Sequence, residues 1–149
     1  MPSTHISIHV HVVFSTKNRQ PIIDNTWRER LHSYIGGAIK RAGGRPIAIG
    51  GTADHVHLLI GLKATHRLGD FLREIKAASS KWVGDELEVP DFAWQSGYGA
   101  TSVSAPVLPI ISRYIANQEE HHRRRSFKEE YLAFLRKMGV QYDERYLWD

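Results

Sequence analysis

The residues best suited to chemistry are His55, His57, Tyr114 and Gln118. His55-Val56-His57 lies in the apolar run TADHVHLLIG, where strand alternation puts both imidazoles on one face. Tyr114 and Gln118 lie in RYIANQEEHH at helical i, i+4 spacing and so share a helix face. The four offer two nitrogen ligands, one oxygen ligand and one nucleophilic hydroxyl. Those are the parts needed to break and rejoin a phosphodiester bond. A mononuclear site needs three or more protein ligands and an open position. Gln118 can supply the third ligand, and Asp54, next to the pair, competes for that place. Two imidazoles and one oxygen suit Mn²⁺ or Mg²⁺ with phosphate. An unperturbed phenol, with a pKa of about 10, is a poor nucleophile at neutral pH. A nearby metal and basic residues favour phenolate, and the metal withdraws charge from the scissile phosphate.

Each feature also has a structural explanation. The H-x-H pattern occurs twice, at His9/His11 and at His55/His57, and on a half-buried strand it can simply mark the polar face. Tyr114 could pack in one stripe with Ile110, Ile111 and Ile115, although Gln118 sits poorly on such a face. His121, His122, Arg123, Arg124 and Arg125 follow the tyrosine directly, and the helix dipole alone favours cations there. Further positive charge comes from Arg73, Lys76 and Lys81 on a second helix, and from Lys17 and Arg19 at a strand end. These eight Lys and Arg residues are the candidate DNA-backbone contacts. Phe92, Trp94 and Tyr98 could stack on unpaired bases or fill a core. No P-loop, G-x-G-x-x-G or G-x-S-x-G is present, which removes the common nucleotide-hydrolysis and serine-hydrolase readings.

The elements that must position these groups follow from periodicity. Residues 5–14 alternate as a half-buried strand, with Ile6, Ile8, Val10, Val12 and Phe14 opposite His5, Ser7, His9 and His11. A helix capped by Asp24, Asn25 or Thr26 runs to about Arg41 and stops at Gly43-Gly44. Strands follow at 45–52 and 55–62, then a helix at 68–83 and a fourth strand at 94–104. Ser104 or Pro109 opens a helix to about Arg124, and Ser126 opens another to Met138. The order β-α-β-β-α-β is the ferredoxin-like arrangement, an α+β antiparallel sheet, here with extra C-terminal helices carrying the tyrosine. The first two helices should cover one sheet face and leave the imidazoles on an open one. Residues 1–139 read as a single domain and 140–149 as a tail rich in aromatics and charge.

Composition sets the frame. The chain has 149 residues, 42% hydrophobic and 24% charged, enough to bury one core. A net charge of +4 permits nucleic-acid binding. The absence of cysteine excludes thiolate metal sites and disulfides and fits a cytoplasmic protein. No run approaches the ~18–20 apolar residues of a membrane span, and MPSTHISIHV shows no secretory signal.

Along nearly its whole length the chain resembles the HUH-type single-tyrosine transposases of bacterial insertion sequences, including relatives associated with repetitive extragenic palindromes. The stretches that carry the resemblance are VHVVFSTKNRQPI, GGTADHVHLLIGL, DFLREIKAASSKW, FAWQSGYGATSVS, RYIANQEEHHRRRSFKEEYLAFL and GVQYDERYLWD. DHVHLL with YIANQ is the specific part. The resemblance implies a homodimer that binds single-stranded or hairpin DNA. It assigns metal binding to His55, His57 and Gln118 and the nucleophile to Tyr114. It implies cleavage through a 5′-phosphotyrosine with release of a 3′-OH, then rejoining by attack of another 3′-OH. A relative that binds palindromic DNA or RNA without cutting it is the competing reading. A hydrolase that uses the histidine pair on a small phosphodiester is a third.

Overall fold

The computed structural model describes residues 3–149; Met1 and Pro2, which open the N-terminal stretch read above, lie outside them. The order is β1 (Ile8–Ser15), α1 (Arg28–Arg41), β2 (Arg45–Gly51), β3 (His55–Leu62), α2 (Leu68–Glu86), β4 (Gly99–Ser102), α3 (Leu108–Ala116), α4 (Gln118–His122) and α5 (Phe127–Lys137). The strands form one sheet in the order β2-β3-β1-β4 with every pair antiparallel. This is the expected ferredoxin-like α+β arrangement, with β1 and β3 inside.

Alternation sorts the two inner strands. Val12 pairs with Leu58 and Phe14 with Val56. These side chains join Leu31, Ile35 and Ile39 of α1 and Phe71, Leu72 and Ile75 of α2 in the main core. The helix termini differ from expectation by a few residues. Asp24 Oδ1 accepts from the Thr26 amide in the turn before α1, which begins only at Arg28 with no side-chain cap. Ser126 caps α5 in a reciprocal box with Glu129, and Gly139, at φ +69°, follows it.

The opposite sheet face is not open. The C-terminal helices carry apolar side chains that have no other place to go. Ile115 of α3 packs on Leu59 and Val103. Phe127, Tyr131 and Leu135 of α5 pack on Val13. His55 and His57 are consequently 0% and 2% exposed. Close seating of α3 on β2 depends on Gly50, where an added Cβ would lie 2.2 Å from the Ile115 carbonyl oxygen.

Two segments depart further from the sequence reading. The fourth strand shrinks to Gly99–Ser102 because Trp94 turns into the core, edge-on to Phe14, where its Nε1 donates to Ser79 Oγ at 2.9 Å. Phe92 is buried beside it, so of the three aromatics considered for base stacking only Tyr98 is exposed. The helix expected to Arg124 breaks at Asn117 (φ −100°, ψ 25°), which separates Tyr114 on α3 from Gln118 on α4. In residues 140–149, Tyr142, Leu147 and Trp148 pack against the α5 cluster, and the Arg19 guanidinium lies 4.7 Å above the Trp148 ring. No helix among the described residues is long and apolar enough to cross a membrane.

Candidate active site

The sheet register brings the imidazoles together. Val13 pairs with His57, so His11 on β1 is a diagonal neighbour of His57 on the same face. His11 Nε2 lies 2.8 Å from His57 Nδ1. Burial first, then the neighbouring His57, lowers the pKa of His11 to about 3. Burial likewise takes His57 to about 4, opposed by its hydrogen bond to Glu130. Both rings are neutral at pH 7. His9, the other half of the first pair, points elsewhere, with its Nε2 3.3 Å from Arg45 Nη2.

His55 is oriented from its outer side. Its Nδ1 donates to Asp54 Oδ1 at 2.8 Å and lies 3.1 Å from Thr52 Oγ1. Burial works against the Asp54 charge, but the hydrogen bonds and charge of His55, with Thr52, outweigh it and hold the carboxyl below its usual range. Asp54 therefore meets the nitrogen of His55 that faces away from the other ligand candidates. The inner nitrogen, Nε2, lies 3.0 Å from Gln118 Oε1. Gln118 is 1% exposed, and its Nε2 donates to the Tyr114 carbonyl at 3.2 Å, which turns Oε1 toward the rings.

Two residues that the sequence reading did not place in the site complete it. His122 donates from Nδ1 to the Arg125 carbonyl at 2.7 Å, so its Nε2 faces inward, 3.1 Å from Gln118 Oε1. Its i, i+4 spacing from Gln118 was a usable signal. Glu130, on α5, carries a buried carboxylate into the centre. Its Oε1 lies 3.0 Å from His57 Nε2, 3.3 Å from His122 Nε2 and 3.8 Å from His55 Nε2. Its Oε2 accepts from the Tyr114 hydroxyl and lies 3.0 Å from His121 Nε2. Burial opposes the Glu130 charge, but hydrogen bonds from His122, His57 and Tyr114 overcome it and depress its pKa strongly. The faint signal for Glu130 was the capping box, which gives Glu129 a local role and leaves its neighbour without one.

Tyr114 stands over His57, with ring centroids 5.6 Å apart. Burial, then the Glu130 carboxylate, raises its pKa, while Gln118 and Arg125 pull the other way. A cavity of about 480 Å³ reaches the phenol and is lined by His11, His57, Ser104, Glu130 and Lys137. A second cleft at Tyr114, bordered by Arg124 and Arg125, opens to solvent.

The structure divides the basic residues. Arg124 and Arg125 lie beside Tyr114, whereas Arg123 pairs with Glu120 at 2.9 Å. Lys17 is exposed and Arg19 half-buried just beyond β1, whose last residue pairs with His55. Arg73 and Lys81 pair with Asp70 and Asp85 on α2, across the sheet from the tyrosine. Lys76 donates to the Ser96 and Gly97 carbonyls at 3.2 and 2.7 Å, and burial takes its pKa to about 8.

The donor set fits a divalent metal. His55 Nδ1 and His122 Nδ1 each donate to an atom that can only accept, which turns both Nε2 atoms inward as ligand candidates. Both Nε2 atoms face Gln118 Oε1 and Glu130 Oε1, so nitrogen and oxygen ligand candidates converge on one buried point. Ligand atoms sharing one ion at bonds of about 2.1 Å lie ~3.0–3.4 Å apart, close to the spacings found here. His55, His122 and Glu130 each have one ligand atom within 4.8 Å of the others.

Comparison with known proteins bears on the fold and the family. No curated protein sequence matches the chain. A crystal structure of a proposed transposase from Deinococcus radiodurans superposes with a TM-score of 0.63 at 24% identity, covering 79% of this chain and 95% of that one. The structure of a REP-associated tyrosine transposase bound to a REP hairpin superposes with a TM-score of 0.60 at 15% identity, covering 82% of this chain and 73% of that one. At these identities the likeness shows the fold. The family described as "Transposase IS200 like" matches residues 4–118, from just before β1 to Gln118. That match spans most of the sequence, and this chain therefore belongs to the IS200-like transposase family.

Proposed function

We propose that the protein is a metal-dependent endonuclease and strand transferase acting on single-stranded DNA through a 5′-phosphotyrosine at Tyr114. Family membership supports transposase chemistry in general. One observation supports the particular reading: the Tyr114 hydroxyl and His57 Nε2 meet on the two oxygens of one carboxylate, beside His55 and Gln118. This reading takes nucleophile and ligands from a single chain. A homodimer would serve to bring two DNA ends together rather than to complete the chemistry.

His55, His57 and Gln118 would hold Mg²⁺ or Mn²⁺. When bound, the metal withdraws charge from the phosphate and favours the phenolate form of Tyr114. Asp54 fixes the tautomer of His55 so that Nε2 is free to ligate. His11 Nε2 is placed to do the same for His57 by accepting from Nδ1 when Nε2 serves as a ligand. The Tyr114 oxygen attacks phosphorus, the bond to the 3′ oxygen breaks, and the 5′ phosphate stays on the tyrosine. The phenol loses a proton and the leaving 3′ oxygen gains one. The diester energy is retained, so a later 3′-OH can reverse the step. Arg124 and Arg125 are placed to meet the strand at the scissile phosphate. Lys17 and Arg19 can contact it near the end of β1. Arg123, Arg73, Lys76 and Lys81 could add contacts farther away. The relative that was solved with a REP hairpin supports a hairpin beside the cleavage sequence as the substrate.

A hairpin oligonucleotide with a single-stranded flank, labelled at either end and incubated with Mn²⁺ or Mg²⁺, tests this. The expected result is a free 3′-OH fragment and a protein-linked 5′ fragment, with the adduct lost in Tyr114→Phe while binding is kept. Salt-sensitive binding without cleavage in any divalent metal would favour the non-cutting reading. A covalent product from Tyr114→Phe would remove the tyrosine from its role.

A further inference from the structure

Glu130 lies outside the family match, which ends at Gln118, and the reading above uses its position without giving it a chemical role. A carboxylate that is 5% exposed and surrounded by imidazoles is nonetheless costly to bury without a function. Its two oxygens do different things. Oε1 faces the inward Nε2 atoms of His57, His122 and His55 at 3.0, 3.3 and 3.8 Å. Oε2 faces the nucleophile side, accepting from the Tyr114 hydroxyl beside His121. We propose that Glu130 is a ligand of the same metal as His55, His57 and Gln118, binding through Oε1 while Oε2 holds the Tyr114 hydroxyl. The inference rests on the metal reading given under Proposed function.

Three points support it. The Oε1 distances to His57 and His122, 3.0 and 3.3 Å, match those between neighbouring atoms that share one ion, and His55 is farther at 3.8 Å. A hard divalent cation such as Mg²⁺ or Mn²⁺ prefers an anionic oxygen to a third imidazole. One carboxylate spanning both partners gives a physical reason for the C-terminal helix to lie across the sheet: α5 ties the position of the tyrosine to occupancy of the metal site. The helix is anchored for this by Phe127 and Tyr131 and by its own cap.

The test is Mn²⁺ binding by isothermal titration calorimetry, on full-length protein without DNA. Wild type would be compared with Glu130→Asp, Glu130→Gln and His57→Ala, with melting curves confirming that each variant is folded. Glu130→Asp keeps the charge but withdraws the oxygens by one methylene, so it separates ligation from simple attraction. Both Glu130 variants should bind Mn²⁺ at least tenfold more weakly than wild type, and His57→Ala more weakly still. Wild-type affinity in either folded Glu130 variant, alongside a loss in His57→Ala, overturns the role of Glu130 and leaves the metal site standing. Equal affinity in all four proteins overturns both. If a Glu130 variant does not fold, a crystal of the wild type soaked in Mn²⁺ decides. A Glu130 oxygen about 2.0–2.2 Å from the anomalous peak supports the proposal, and a carboxylate turned away from it refutes it.

Discussion

Replacing Gly50 with alanine tests whether the seating of α3 on β2 is what places the nucleophile. Gly50 has no left-handed backbone angle, so the substitution acts only through space. The new Cβ would lie 2.2 Å from the Ile115 carbonyl oxygen and 2.9 Å from Ile115 Cγ2. Moving from 2.2 Å to the 3.4 Å of ordinary contact takes 1.2 Å, and the atom it meets belongs to helix backbone that cannot rotate away. Tyr114 precedes Ile115 and Gln118 follows it on the next helix, so both move with α3. The 3.0 Å approach of Gln118 to His55 would open toward 4.2 Å if the whole 1.2 Å falls on it. Overpacking of this kind costs about 1–3 kcal/mol of stability. A misplacement of about 1 Å at a reacting group costs on the order of 10²-fold in rate. Adduct formation with a hairpin oligonucleotide, measured on protein shown to be folded by circular dichroism, should therefore fall by about two orders of magnitude. Gly97→Ala, where a Cβ meets nothing within 4 Å, is the control and should retain the wild-type rate. A folded Gly50→Ala protein that forms adduct at the wild-type rate would refute the idea that this contact sets the geometry.

Acid should destabilise the fold before the carboxylates titrate. Burial lowers His11 to about 3 and His57 and His32 to about 4, against about 6.5 in the unfolded chain. Between about pH 4 and 6.5 the unfolded state binds more protons, so stability rises with pH there by up to ~1.4 kcal/mol per unit for each ring. His122, whose pKa is raised, opposes this only as pH climbs through its own value. The melting temperature should drop steadily from pH 7 to pH 5; a flat or rising profile contradicts the assignment of neutral buried rings. Arg124→Ala and Arg125→Ala should each weaken DNA binding and reduce the slope of log K against log salt by about one. Arg73→Ala and Lys81→Ala, paired to carboxylates across the sheet, should change it less, as fluorescence anisotropy at several salt concentrations would show.

The legible parts of this molecule are those governed by short-range periodicity. β3 runs over His55–Leu62 as its alternation predicts, and both histidines share a face. What eluded the sequence reading was long-range. The far face of the sheet looked open because nothing local in Ile111, Ile115 or Phe127 says which surface they cover. Trp94 fits a strand pattern equally well whether it stays in the ladder or turns into the core toward Ser79. Glu130 looks like any carboxylate on a solvated helix until α5 is laid across the imidazoles. Tyr114 and Gln118 lie together, but the break at Asn117 puts them on two helices where the i, i+4 spacing predicts one.

The most direct test of the central claim is peptide mapping by mass spectrometry of the protein after reaction with a single-stranded hairpin substrate in Mn²⁺. The account predicts a nucleotide mass joined through a 5′ phosphate to the peptide that contains Tyr114. An adduct on any other residue, or complete cleavage with no adduct while the reaction is under way, would contradict it.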